Sequence, residues 1–154
     1  LPVGEPGLVF LRGEQVSGEY ESGSVVDAEG WFPTKDRGWI DQDDYLFIEG
    51  RADDTIIRGG ENIAPAEIED VLRRHEAIVD AAVVGIPDDE WGQQIAAVVV
   101  MKPGVSVSVD ELHDYCQLHL RSSKTPYRIE FREELPHTPT GKLLRREVLA
   151  DLLG

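Results

Sequence analysis

Cysteine, positive charge and long apolar runs are all scarce in this chain of 154 residues. The single cysteine, Cys116, excludes an internal disulfide, and its place on the apolar side of a predicted helix with Leu112 and Leu120 makes it core rather than a nucleophile. The four histidines, His75, His113, His119 and His137, have no metal-ligand spacing with acids or with Cys116, so no metal site is expected. No apolar run reaches about 18 residues and no signal-peptide pattern is present, which predicts a soluble, cytoplasmic protein without a membrane span. Lys and Arg number 15 against 30 Asp and Glu, a net charge of −15. Such a field repels nucleic acids and anionic membranes, so any anionic ligand should be small and captured locally. An initial methionine is also lacking, and the opening Leu1-Pro2-Val3-Gly4-Glu5-Pro6-Gly7 reads as mid-sheet, as the tail of a longer protein would.

What is present falls into two compositional regions. Residues 1–50 carry short apolar or alternating runs (Leu8–Leu11, Ser24–Val26, Trp39–Ile40, Tyr45–Ile48) between Gly and Asp clusters, a β-rich pattern with no predicted helix. Residues 51–54 are short and polar, and a domain boundary is placed at Asp53. From 55 to 154 helices and strands alternate in a small α+β domain. Thr55–Ile57 and Asn62–Ile63 flank a hairpin loop at Arg58-Gly59-Gly60-Glu61, where glycines supply positive φ or admit a ligand to bare backbone. Pro65 opens a helix to His75 as its first residue. Val79–Ile86 and Ile95–Met101 read as buried strands, Ser108-Val109-Asp110-Glu111 as a capping box starting a helix to Arg121, Arg128–Arg132 as a strand, and Lys142–Leu153 as the last helix.

Lys142 is a cation at the wrong end of that last helix. The helix dipole favours anions at the N-terminus and cations at the C-terminus by roughly 0.3–1 kcal/mol each. The other two helices obey, with Glu67, Glu69 and Asp70 early and Arg73 and Arg74 late, then Asp110 and Glu111 early and Arg121 late. The third begins with Lys142 and carries Asp151 in its last turn. Local rules tend to be broken at working sites, so Lys142 on free helix N–H groups is read as an anion site. The last 35 residues, with seven Lys and Arg against five acids, form a local basic patch. Thr140-Gly141-Lys142 fails the phosphate-binding P-loop pattern, because Pro136 stands where its first glycine should be and Leu143 where Ser or Thr should follow the lysine.

An ordered set of motifs does fit: Gly30-Trp31-Phe32-Pro33-Thr34-Lys35-Asp36, Tyr45-Leu46-Phe47, Gly50-Arg51-Ala52-Asp53-Asp54, Gly59 through Glu69, Trp91-Gly92, and Pro136 through Arg146. The set resembles the C-terminal part of the adenylate-forming enzymes, which include acyl-CoA synthetases, luciferases and peptide-synthetase adenylation domains. The resemblance covers nearly the whole chain. It implies that residues 1–50 end a large N-terminal AMP-binding domain, that 51–54 form a hinge, and that 55–154 form a mobile C-terminal domain. Asp36 resembles the carboxylate that accepts both ribose hydroxyls of ATP, and Arg51 its nucleotide-contacting neighbour. Asp53 resembles the hinge residue, and Lys142 the lysine that bridges carboxylate and α-phosphate in the adenylating step. Gly59 and Gly60 resemble the loop that faces the active site during thiol transfer, with Trp91 near the pantetheine passage and Lys124 placed to meet a CoA phosphate.

Each role has a plainer rival: Asp36 a turn residue, Arg51 a surface ion pair, Gly59-Gly60 only a hairpin turn, Trp91 core, Lys142 a solvated lysine. Two departures stand out. Lys35 occupies a position usually held by glycine, and Ser123 one where an aromatic is common. The resemblance implies an ATP-dependent carboxylate–CoA ligase of fatty or aromatic acids, with ATP and CoA as substrates, Mg²⁺ accompanying ATP, and the rest of the N-terminal domain as partner. Its alternatives are an enzyme loading a carrier protein and a non-catalytic interaction module. Nothing in these residues matches the family's phosphate loop, so the chain alone is expected to be inactive.

Overall fold

Turn chemistry decides where the strands of the first region end. Asp41 Oδ1 accepts the backbone N–H groups of Asp43 and Tyr45, each at 2.9 Å, closing the loop between two long strands. The computed structural model describes residues 1–13, 16, 19–20, 23–24 and 26–154. The chain divides into two compact units, Leu1–Asp53 and Asp54–Gly154. The first holds β1 (Gly7–Leu11), β2 (Glu19–Tyr20), β3 (Gly23–Ser24), β4 (Phe32–Ile40) and β5 (Leu46–Arg51). Strands β1, β4 and β5 form an antiparallel sheet in that order, and β2 pairs with β3. Val25, within the expected run Ser24–Val26, lies outside the described residues.

Two expectations for this unit need correction. The run expected at Trp39–Ile40 is the end of a nine-residue strand, and Asp36, whose plainer rival was a turn residue, lies in the interior of that strand. Pro33 and the polar residues of β4 hid the strand, since a sheet with no fully covered face needs no apolar alternation. Lys35 nevertheless sits at φ 62°, a left-handed conformation inside a strand. That is where glycine costs least, which fits the glycine that the resemblance implies at this position. Gly38 follows a bulge in the β4–β5 register, and a Cβ on it would lie within covalent-clash range of the Phe47 carbonyl oxygen.

In the second unit β6 (Ile56–Arg58) and β7 (Glu61–Ile63) pair through a tight turn at Gly59-Gly60, with φ of 56° and 84°. Two consecutive positive φ values make a primed hairpin turn, the kind whose twist suits its strands. The loop is thus two residues, not four. Helix α1 (Pro65–Arg73) starts with Pro65 in its first turn and stops short of His75. Strands β8 (Ile78–Asp88) and β9 (Gly92–Met101) are antiparallel, and β10 (Arg128–Arg132) joins β9 in parallel across helix α2 (Val109–His119). The α2 capping box forms as expected: Ser108 Oγ accepts the Glu111 N–H at 3.2 Å and Glu111 Oε2 accepts the Ser108 N–H at 2.8 Å. That contact with the Ser108 backbone holds the Glu111 carboxyl below its ordinary value.

Alternation along β8 and β9 separates two cores. Ala81, Val83, Ile95, Ala97 and Val99 face Ile56, Ile63, Ile68, Leu72, Leu112 and Cys116 on the side covered by the hairpin, α1 and α2. Ala82, Val84, Ala96 and Val98 face Leu135, Val148 and Leu152 on the side covered by α3 (Arg145–Leu153). Fully burying each large aliphatic side chain contributes roughly 1.5–3 kcal/mol. Cys116 is core as expected, and burial pushes its thiol up to about 11, which leaves it protonated and unreactive near neutrality. No helix among the described residues is long and apolar enough to cross a membrane.

The last helix begins three residues later than expected, and Lys142 is outside it. The reason is local. Thr138 N–H donates to the Lys142 carbonyl at 2.8 Å, Lys142 N–H donates to Thr138 Oγ1 at 3.0 Å, and His137 bridges to Leu143, so the chain closes a polar loop before it can coil. Gly141 takes φ 83° at its tip. The helix therefore opens on Arg145 and Arg146, and the reversed charge belongs to them.

Candidate active site

Register places Asp36 opposite Arg51 in the β4–β5 ladder. Arg51 Nη1 donates to the Thr34 carbonyl at 2.9 Å and to Asp36 Oδ1 at 3.3 Å. Thr34 Oγ1 in turn accepts the Asp36 N–H at 3.0 Å and donates to the Val9 carbonyl at 2.8 Å. The pair is therefore anchored to all three strands while both side chains stay about one third exposed. Asp36 keeps one carboxylate oxygen without a described hydrogen-bond donor, a suitable acceptor for a vicinal diol. A recess lined by Leu8, Pro33, Lys35, Ala52 and Asp53 among others measures about 170 Å³, smaller than ordinary small-molecule sites, and a larger open cleft of about 610 Å³ is lined by Leu8, Phe10, Trp39, Ile40 and Leu46 among others. Neither lining includes Asp36 or Arg51, which lie outside both recesses. Asp53 is exposed within a single 3₁₀ turn, Ala52–Asp54.

In the second unit Lys142 projects from the Pro136–Leu144 loop. The loop's backbone groups are internally paired, with Gly141 N–H on the Thr138 carbonyl at 2.8 Å and Leu144 N–H on the Pro136 carbonyl at 2.9 Å. Lys142 itself is exposed and has no ion-pair partner among the described residues. An exposed primary ammonium on a loop whose backbone is internally bonded does not rest on a helix dipole.

Gly59 and Trp91 are in direct contact. Gly59 N–H donates to the Trp91 carbonyl at 2.8 Å, and a Cβ on Gly59 would lie 2.8 Å from the indole ring. Trp91 is held in the β8–β9 turn, where Asp88 Oδ1 accepts its N–H at 2.8 Å, so it is a half-exposed loop residue and not core. A Cβ on Gly60 would meet open space, leaving that backbone accessible. Arg58, which sequence reasoning passed over, ties the cluster together. Its guanidinium lies 4.8 Å from the Trp91 ring centroid, and its Nε donates to Gln94 Oε1 at 3.0 Å. Its Nη1 donates to the Ser123 carbonyl at 3.4 Å, next to Lys124. Lys124 is not free, since its Nζ pairs with Glu67 Oε2 at 2.6 Å. Gly59, Gly60, Trp91 and Lys124 thus share one end of the hairpin side, and the Lys142 loop leads into the helix on the other side.

Glu69 is the second residue the sequence reading overlooked in this role. Its side chain is 3% exposed, on the α1 stripe of Pro65, Ile68 and Leu72, a spacing that marks an inward carboxylate. A buried carboxylate must be paired. Arg145 Nη2 donates to both Glu69 oxygens, at 2.9 and 2.7 Å, and its Nη1 reaches Asp54 Oδ2 at 3.2 Å. The arginine that opens α3 against the dipole is explained by that pairing. Among the described residues no group of three or more His, Cys, Asp or Glu is placed to hold a metal ion.

Residues 67–142 match the family described as the AMP-binding enzyme C-terminal domain. The 2-succinylbenzoate–CoA ligase of Geobacillus sp. (strain WCH70) is 45% identical over 148 residues, 94% of this chain and 30% of that protein. The fatty acid–[acyl-carrier-protein] ligase ScoC of Streptomyces coeruleorubidus is 41% identical over 152 residues, 96% of this chain and 29% of its own length. Among solved structures, ATP-bound MatB from Rhodopseudomonas palustris matches with a TM-score of 0.90 and 30% identity, covering 98% of this chain and 31% of that one. The chain thus spans about 30% of the length of the relatives it matches.

Proposed function

The chain belongs to the adenylate-forming, AMP-binding enzymes, whose C-terminal domain it carries, and from this we propose that it is part of an ATP-dependent carboxylate–CoA ligase. A carboxylate oxygen attacks the α-phosphorus of ATP, pyrophosphate leaves, and acyl-AMP forms. The CoA thiol, losing its proton, then attacks the acyl carbon and AMP departs. Lys142 serves the first step by holding carboxylate and α-phosphate together as charge builds on them. Asp36 takes the ribose hydroxyls, and Arg51 fixes Asp36 and meets the nucleotide. Gly59, Gly60 and Trp91 border the passage for pantetheine, with Lys124 exchanging Glu67 for a CoA phosphate. Asp53 is the hinge about which the second unit presents first one side and then the other. Mg²⁺ comes with ATP, and the reading includes a cytoplasmic location, where ATP and CoA are supplied.

The observation that carries this reading is the separation of the Lys142 loop and the Gly59 hairpin onto opposite sides of one small sheet. A single rigid domain with two working ends needs only rotation to serve two steps. The exposed apolar residues of the first unit, Leu8, Phe10 and Phe47 among them, support the rest of an N-terminal domain as its partner. In the intact enzyme, Lys142→Ala should lower carboxylate-dependent pyrophosphate exchange by on the order of 10²–10³ while sparing thioester formation from supplied acyl-AMP. Equal loss of both steps would refute the assignment. The ScoC relative supports a second reading, transfer to a carrier protein, and product analysis with CoA against carrier separates the two.

A further inference from the structure

Strand β8 is an edge of its sheet, so part of its backbone has no neighbouring strand to bond. Glu69 fills one gap by accepting the Val83 N–H at 2.9 Å. The same carboxylate takes the bidentate Arg145 fork, so at this edge α1 from one side of the sheet meets α3 from the other. Arg145 extends further, to Asp54, the first residue of the second unit. Neutralising Glu69 does not by itself need Arg145, because Arg73 Nη2 lies 3.5 Å from the same carboxylate. What Arg145 alone provides is a span: one planar guanidinium fixes the root of the Lys142 loop to α1 and to the start of the unit.

We propose that Arg145 is a positioning residue for Lys142, acting through Glu69 and Asp54 to hold the lysine loop in register with the segment on which the unit turns. The inference rests on the functional reading above. Lysine at 145 keeps the charge but cannot serve Glu69 and Asp54 together, so the loop should remain folded and lose its fixed place. A displacement of about 1 Å is enough to cost up to ~10²-fold in rate when two reactants must be aligned.

The test compares Arg145→Lys with Arg73→Lys in the intact enzyme: both disturb the Glu69 carboxylate, only the first touches α3, and a lysine at 73 keeps a cation beside Asp80, which lies 3.4 Å from His137 of the loop. Amide hydrogen exchange at Thr138, Gly141, Lys142 and Leu144 should quicken about tenfold in Arg145→Lys, with β8 and β9 unchanged, and stay as in the wild type in Arg73→Lys. The kcat of carboxylate-dependent pyrophosphate exchange should fall roughly 10- to 10²-fold in Arg145→Lys, with KM for ATP and thioester formation from supplied acyl-AMP within about twofold. Unchanged loop exchange, or both half-reactions falling together as in a general loss of stability, overturns the proposal. If the wild-type enzyme shows no pyrophosphate exchange, the functional reading fails, and the loop exchange alone then decides whether Arg145 positions the loop.

Discussion

The two units of this chain solve the burial problem differently. In Leu1–Asp53 only Gly38 is fully buried among the described residues, and Leu8, Phe10, Leu11, Ile40, Leu46, Phe47 and Ile48 are all 44–57% exposed. In Asp54–Gly154 both sides of a three-stranded sheet are closed over, and even the inward carboxylate of Glu69 is satisfied. A covered sheet specifies itself through its core, and an open one depends on ladder bonds, loop clamps such as Asp41, and stacked pairs such as Trp39 on Phe47 at 4.4 Å. The functional groups divide along the same line. Of the residues proposed for function, Asp36 and Arg51 sit on strands of the open sheet, and Gly59, Gly60, Trp91 and Lys142 lie on turns and loops beside a closed core.

The largest test of this contrast is a pair of truncations. Leu72→Ala, in the closed core, should cost about 2–5 kcal/mol by urea unfolding, whereas Phe10→Ala should stay within about 1 kcal/mol. Similar costs would break the comparison. Next is Gly59→Ala, which forces a Cβ against Trp91 at positive φ and should cost about 1–3 kcal/mol. Pairing it with Trp91→Ala should recover part of that loss, and strict additivity would show that contact with the ring is not the cause. Lys35→Gly in the open unit should gain up to about 1 kcal/mol by relieving a left-handed lysine, read as a higher midpoint. A loss would mean that the Lys35 side chain makes contacts worth more than its strain. The smallest effect concerns acid. The Glu111 carboxyl is lowered in the folded state, so its cap contributes above the ordinary value of 4.5 and fades as pH falls through the folded one. Ser108→Ala should therefore flatten the pH dependence of stability below about pH 5, and an unchanged profile would remove the cap from the account.

Local signals were legible wherever one residue type has one conformational use. Pro65 at a helix start, Ser108 and Glu111 as reciprocal caps, and paired glycines as a turn all needed no tertiary knowledge. The two buried strands were legible for the same reason, since runs of small and branched apolar residues have few places to go. Strand β4 was not, because an exposed strand containing Pro33 and several charged residues carries no burial signature. The start of α3 was misread because the Thr138 hydroxyl, itself bonded to that of Thr140, takes the Lys142 N–H, a competition settled by loop closure and not by helix periodicity.

Sequence alone therefore determined the order of elements in the second unit, the α+β class, the motif set, and the residues Asp36, Arg51, Gly59, Gly60, Trp91, Lys124 and Lys142 as candidates. Each of those follows from chain-local chemistry or from motif resemblance. Tertiary structure decided which candidates meet and what holds them. It set Gly59 against Trp91 beneath Arg58, gave Lys124 to Glu67, moved Lys142 off its helix, and brought Arg145 across 76 residues of chain to a buried Glu69. The last of these depends on where the edge of a sheet leaves the Val83 N–H without a strand partner, and no local pattern records that.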